Sequence, residues 1–186
     1  LKPQQSDYLY GAINIPLKKM FIRPQLHFRL FNNYLYFGED KTPQQAGALA
    51  QIITPGVDLN FRFGNLKVQN KALYSLVTGG SADIFRVPEL FVNSTISYGR
   101  LLYNGRLEVN GGVNLHYRTA YRAYGYDPVI RQFYVLPAEA YENQNNSEEN
   151  GAIVPRENGY VVADLFLDLK IGRVRTFFKF VHLNQA

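Results

Sequence analysis

Apolar and polar residues alternate along most of the chain, most clearly near its C-terminus. Over residues 161–171 every odd position is apolar, whereas Asp164, Asp168 and Lys170 occupy even positions. A period of two is typical of a β-strand with one wet face and one dry face. A helix over the same residues would carry apolar groups all round its axis, so the pattern favours a strand.

The same alternation recurs in four other regions. Their apolar positions are Leu9, Ile13, Ile15 and Leu17; Ile22, Leu26, Phe28 and Leu30; Val57, Leu59, Phe61 and Phe63; and Leu107, Val109, Val113 and Leu115. Residues 89–103 alternate poorly, so we predict a bulge near Gly99 that shifts their faces. Together these patterns predict about eight strands of about 10–17 residues.

Turn signals separate the strands in a regular order. Tight turns are predicted near residues 18, 64, 104 and 172, with Asn104-Gly105 as the strongest signal. Long polar loops are predicted at residues 38–50, 78–88 and 123–158. Tight turns alternate with long loops, which puts all turns at one end of the strands and all long loops at the other. This asymmetry is typical of outer-membrane β-barrels, whereas soluble sandwiches mix loop lengths at both ends.

The length of the chain bounds the fold. With 186 residues the chain has the size of one domain, and we predict a single, partial β-barrel domain over residues 1–186. No apolar run reaches the roughly 18 residues of a transmembrane helix. Strands of about 13 residues rise about 3.3 Å per residue and can cross a bilayer at a tilt. We therefore predict an all-β fold: an antiparallel, up-and-down transmembrane β-barrel, expected to be an arc of a larger barrel.

The alternation divides the side chains into two predicted sets. The lumen-facing candidates are Arg23, Arg29, Asp58, Arg62, Lys67, Lys71, Arg106, Glu108, Arg118, Arg122, Asp164, Asp168, Lys170, Arg175 and Lys179. The lipid-facing candidates are Val57, Leu59, Phe61, Leu107, Val109, Val113, Leu165, Leu167 and Leu169. Bases outnumber acids in the first set, which predicts a positive wall and a weak preference for anionic solutes.

No residues form a recognisable catalytic or cofactor site. His27, His116 and His182 lie on three separate predicted strands, and the sequence has no HExxH, GxSxG or P-loop pattern. The chain has no cysteine, which excludes disulfides and thiolate chemistry. The net charge of +5 is dispersed and does not favour nucleic-acid binding. We expect neither an enzyme nor a cofactor.

Two C-terminal segments carry a family resemblance. They are residues 107–121 and 163–184, with Tyr126-Asp127-Pro128 and Gln132-Phe133-Tyr134 between them. Over residues 105–184 the chain resembles the putative-porin family of Bacteroidota outer-membrane proteins, and the likeness is weaker over residues 1–100. The resemblance implies a bacterial outer-membrane pore for passive diffusion of small solutes. It also implies outer-membrane lipid, lipopolysaccharide and other envelope proteins as partners.

The resemblance also bears on the extent of the chain. Family members are longer, and they continue after the stretch that matches His182-Leu183-Asn184 with one more loop and a final strand. The chain is therefore expected to be a part close to the C-terminus of such a barrel, without its last strand.

Other functions fit the same pattern. The strands could belong to a TonB-dependent nutrient receptor, or to a barrel that serves an envelope secretion complex. A soluble all-β module that binds glycans or proteins is a further alternative, and it requires the apolar faces to pack inward against each other.

Overall fold

The computed structural model describes residues 2–136 and 159–184, which form mainly long β-strands. The strands are β1 (Gln5–Ala12), β2 (Ile15–Pro16), β3 (Met20–Asn32), β4 (Leu35–Phe37), β5 (Pro43–Gln45), β6 (Ala50–Phe63), β7 (Leu66–Tyr74), β8 (Leu76–Gly79), β9 (Leu90–Leu102), β10 (Leu107–Arg118), β11 (Gly125–Asp127), β12 (Gln132–Tyr134), β13 (Tyr160–Ile171) and β14 (Val174–Phe180). A 3-10 turn at Ala82–Ile84 is the one helical element in these ranges. No helix there is long and apolar enough to span a membrane.

The long strands form one antiparallel sheet in the order β1-β3-β6-β7-β9-β10-β13-β14. β2 continues β1 alongside β3, and β8 continues β7 alongside β6. β1 and β14 are the two edges, and neither pairs with another strand on its outer side within the described ranges. The predicted all-β, antiparallel, up-and-down fold of eight principal strands is confirmed, and the open sheet is consistent with an arc of a larger barrel.

The strand register assigns each side chain to one of two faces, because direct cross-strand partners share a face. One row across the sheet contains Arg23, Asp58, Lys71, Asn93 and His116. We call its side the polar face. The adjacent row contains Pro24, Val57, Ala72, Val92, Tyr117 and Val161. We call its side the apolar face.

The register runs without a skipped residue, including in β9. That strand pairs with β10 continuously from Leu102 opposite Leu107 to Phe91 opposite Arg118. The predicted bulge near Gly99 is therefore wrong. The weak alternation of this segment comes from its side chains, since Phe91 lies on the polar face beside Arg118 and Arg100 lies on the apolar face beside Val109.

The tight turns lie together at one end of the sheet, as predicted. Gly64-Asn65 joins β6 to β7, and Gly172-Arg173 joins β13 to β14. Gly64 and Gly172 have φ angles of 59° and 57°, a conformation that glycine adopts without a steric penalty. In the β9–β10 connection, Tyr103, Asn104 and Gly105 all have positive φ.

The long connections lie at the opposite end and contain local structure. β5 falls within the loop predicted at 38–50, where it pairs with β4. The 3-10 turn falls within the loop predicted at 78–88. In the third loop, predicted at 123–158, β11 pairs with β12. Residues 137–158 of that loop lie outside the described part of the chain.

Burial across the sheet is the reverse of that in a soluble sandwich. On the polar face Gln25, Ser97, Asp164 and Asp168 are buried. On the apolar face Leu26 is 48% exposed, and Ile96 and Leu165 are each 40% exposed. Soluble proteins bury such residues against a second layer. The described residues provide no such layer, which argues against the soluble binding module.

Candidate lumen face and loop assembly

The register brings the predicted lumen residues together. All but two of them lie on the polar face: Arg23, Arg29, Asp58, Arg62, Lys67, Lys71, Glu108, Arg118, Asp164, Asp168, Lys170, Arg175 and Lys179. Arg106 lies instead in the turn before β10, and Arg122 lies in the connection after β10. All nine predicted lipid-facing residues lie on the apolar face. It remains a prediction that the polar face lines a lumen and that the apolar face contacts lipid.

Ion pairs neutralise much of the charge on β13 and β14. Lys179 Nζ lies 2.8 Å from Asp164 Oδ2, and Asp164 also accepts a hydrogen bond from the backbone N–H of His182. Arg175 donates to both carboxylate oxygens of Asp168. Both carboxylates are buried while their basic partners are more exposed. Lys170 Nζ lies 3.9 Å from the carboxylate of Glu108 on β10, so each base of β13 and β14 on the polar face has an acidic partner.

The opposite side of the polar face, on β3, β6 and β7, keeps an excess of positive charge. Its charged residues are Arg23, Arg29, Asp58, Arg62, Lys67 and Lys71. In the described part of the chain Arg62, Lys67 and Lys71 form no ion pair within 4.0 Å. We call these six residues the cationic half. One acid among five bases leaves this half positive.

Tyrosines of β1 cover two arginines of the cationic half. Arg23 Nη2 donates to the hydroxyl of Tyr10 at 2.6 Å. The guanidinium of Arg29 lies over the ring of Tyr8, 5.2 Å from its centroid, in cation–π geometry. These contacts fix the two arginines without removing their charge.

The neutral polar-face side chains of β9 separate the two charged regions. On β9 and β10, Thr95 Oγ1 donates to Asn114 Oδ1 at 2.8 Å across the strands.

On the apolar face, Ser94 donates to Asn70 Oδ1 at 2.7 Å. This second pair satisfies two polar groups within an otherwise apolar surface, and alternation alone does not predict it.

Aromatic side chains connect the polar face to the long connections. Phe31, on the polar face near the end of β3, stacks on Phe85 with ring centroids 4.9 Å apart. Tyr34 contacts both rings, with centroid distances of 5.5 Å to Phe31 and 4.9 Å to Phe85. The connection between β8 and β9 therefore folds over the polar-face side of the sheet.

Polar contacts join the three long connections to one another. The Tyr124 hydroxyl donates to the carbonyl oxygen of Ile84 at 2.7 Å, and burial raises the pKa of this phenol. Val135 N–H donates to the carbonyl oxygen of Phe37 at 3.0 Å. We call residues 33–49, 80–89 and 119–136 the loop assembly. Its contacts join residues far apart in sequence, so no local signal predicts them.

An ion pair joins the first and third long connections of the loop assembly. Lys41 Nζ lies 2.8 Å from Asp127 Oδ2, and Asp127 Oδ1 accepts hydrogen bonds from the N–H groups of Val129 and Ile130. The Lys41 hydrogen bond and these N–H donors lower the pKa of Asp127. The same partnership raises the pKa of Lys41. The pair therefore stays charged at neutral pH and connects the first long connection to the third.

Comparison with protein families shows which family contains this sheet with one polar and one apolar face. A family model described as putative porin matches residues 1–186. The chain belongs to the putative porin family. The match covers the whole sequence and so includes residues 1–100, where the resemblance was weaker. No curated protein and no solved structure matches the chain.

Membership of the putative porin family indicates a porin-like function in the outer membrane and a channel role rather than a catalytic one. The geometry is compatible with that role. His27, His116 and His182 do not come together, and the described residues contain no group of three His, Asp or Glu side chains that could hold a metal.

Proposed function

We propose that the chain forms part of the wall of an outer-membrane pore through which small solutes diffuse passively, with a weak preference for anions. The distribution of charge on the polar face carries this proposal. Acids and bases are paired on β13 and β14, whereas the cationic half carries five bases and one acid. A low-dielectric wall concentrates the field of such unpaired charges on the adjacent water.

The apolar face supports the membrane part of the proposal. Its exposed leucine, isoleucine and phenylalanine side chains suit the hydrocarbon of the outer membrane, with lipopolysaccharide and phospholipid as neighbours. The unpaired N–H and C=O groups at the edges β1 and β14 would be costly in lipid. We therefore infer that further strands, from the same polypeptide or from another envelope protein, pair with both edges.

The loop assembly bears on the width of the pore. Because Phe31 and Phe85 stack on the polar-face side, the second long connection lies over the mouth of the proposed lumen. Pore width and lining charge then select the solutes, without a cofactor.

Reversal potentials in planar bilayers with a potassium chloride gradient test the proposal. We expect chloride to permeate more readily than potassium. Lys71→Gln, which removes an unpaired base of the cationic half, should lower the anion preference. The double variant Lys179→Gln with Asp164→Asn removes a neutral pair and should leave it unchanged.

Two results would contradict this function. A cation-selective pore would refute the anion preference. A barrel that stays closed would favour a TonB-dependent receptor or a secretion-complex barrel over a passive porin.

A further inference from the structure

A cavity of about 450 Å³ lies at the turn end of the polar face, between the β6–β7 and β9–β10 hairpins. Arg62, Asn65 and Lys67 line it from one hairpin, and Gly99 and Glu108 line it from the other. Within the part of the chain that the structure describes, neither base forms an ion pair. The cavity therefore presents two available cationic groups on one wall.

The two bases are direct cross-strand partners. Arg62 lies opposite Lys67 in the β6–β7 register, one residue from the strand ends that flank Gly64-Asn65. Like charges placed directly opposite each other destabilise a strand pair. An anion bound between them would remove this repulsion and satisfy both donors. The guanidinium fork and the ammonium group are the side chains that best recognise oxyanions.

Glycine leaves the floor of the cavity open. Gly99 lies on the polar face, and its N–H donates to the carbonyl oxygen of Asn65 at 3.0 Å. A Cβ at this position would lie 3.5 Å from Asn110 Oδ1, an ordinary contact. The backbone here does not need glycine for steric reasons. The effect of Gly99 is to leave space beside Arg62 and Lys67.

The other charged groups around the cavity do not cancel the two bases. Glu108 lies on the opposite wall, and Lys170 Nζ is 3.9 Å from its carboxylate. Arg100 also lines the cavity. Arg100 belongs to the apolar face, so the charged side chains that line the cavity from the polar face are Arg62 and Lys67 against Glu108 alone, and their net charge is positive.

We propose that this cavity binds a small oxyanion of the phosphate type, held by Arg62 and Lys67. The proposal rests on the proposed function in one respect, since it takes the polar face to line a lumen that solutes reach. The site would hold an anion briefly at the turn end of the pore, before or after the anion passes the other bases of the cationic half.

Calorimetric titration of the detergent-solubilised protein with inorganic phosphate tests this site without requiring an open pore. We expect Arg62→Gln and Lys67→Gln each to weaken phosphate binding about tenfold, the loss of one charge-assisted contact. Gly99→Leu, which fills the cavity and keeps both bases, should abolish binding. Lys71→Gln removes an unpaired base from the same face of β7 outside the cavity, and should change the affinity less than twofold.

The possible outcomes distinguish a failure of the proposed phosphate site from a failure of the proposed porin function. Folding of each variant is checked by the heat-dependent mobility of the barrel on gels. Absence of phosphate binding by the unaltered protein would overturn the site, as would equal losses in the Lys67 and Lys71 variants. An anion-selective pore with no phosphate binding would leave the proposed function intact. A closed barrel whose phosphate affinity depends on Arg62, Lys67 and Gly99 would keep the site and remove the porin function.

Discussion

Arg175 Nε lies 2.8 Å from Oδ1 and 3.1 Å from Oδ2 of Asp168, across the β13–β14 hairpin. The two residues are diagonal neighbours on the polar face, since the direct partner of Asp168 is Phe177. Arg175 Nη2 also donates to Oδ2. The side chain of Asp168 is 11% exposed and that of Arg175 is 70% exposed. The carboxylate of Asp168 is therefore buried in the polar face, whereas most of the Arg175 side chain is accessible to solvent.

Removing this acid should make the wall more positive. Asp168→Asn leaves the charge of Arg175 uncompensated, so we expect the reversal potential in a potassium chloride gradient to shift toward chloride selectivity. The double variant Asp168→Asn with Arg175→Gln has no net change in charge and should restore the original value. An unchanged reversal potential in the single variant would mean that β13 and β14 do not line the conduction path.

The two faces should differ in access to water-soluble reagents. The chain has no natural cysteine, so single-cysteine variants report one site each. We expect Gln69→Cys, on the polar face of β7, to react with a membrane-impermeant maleimide in lipid vesicles. Val68→Cys, its neighbour on the apolar face, should stay unlabelled until detergent is added. Equal labelling at both positions would refute the assignment of the faces.

A side chain at Gly112 should destabilise the sheet. A Cβ there would collide with the carbonyl oxygen of Ile96 and lie 2.8 Å from Cζ of Phe166, its direct partner on β13. We expect Gly112→Ala to lower the free energy of unfolding by about 1–3 kcal/mol, as overpacking does. Because the chain has no tryptophan, urea unfolding is followed by gel mobility. Gly111→Ala is the matched control, since its Cβ would make only contacts of 3.5 and 3.6 Å.

The loop assembly should loosen in acid. Because the folded-state pKa of Asp127 lies below its unfolded value, the Lys41–Asp127 pair stabilises the loops above the ordinary aspartate range, about pH 3.9. That contribution is lost as the pH falls through the lowered pKa. We expect hydrogen exchange in β11 and β12, corrected for the intrinsic rate, to increase only in this window. Asp127→Asn keeps an acceptor for Val129 and Ile130 and should remove the pH dependence.

Alternation predicted the faces of the sheet because the period of a strand is set by backbone geometry. Thirteen of the fifteen predicted charged positions, from Arg23 to Lys179, could be assigned to one side without knowing which strands pair. The same reasoning was wrong at Gly99, where irregular side chains were interpreted as irregular backbone. Phe91 and Arg100 break the pattern while the register continues past them.

Which acidic and basic side chains form ion pairs depends on the strand register, which the sequence does not specify directly. Sequence alone could not show that Lys179 reaches Asp164 whereas Lys71 forms no ion pair among the described residues. The sequence does not predict the loop assembly for a related reason. Phe31 on β3 and Phe85 in the β8–β9 connection are far apart in the chain, and no local pattern indicates that their rings stack.

The uninterrupted register limits how the strands can change in length. A single inserted residue within β9 would turn every later side chain of that strand to the other side, so that Ser97 and Thr95 would exchange places with Ile96 and Tyr98. Two inserted residues would restore the original sides. Natural relatives should therefore differ by even numbers of residues inside strands and by any number in the long connections, a parity rule that an alignment of relatives can check.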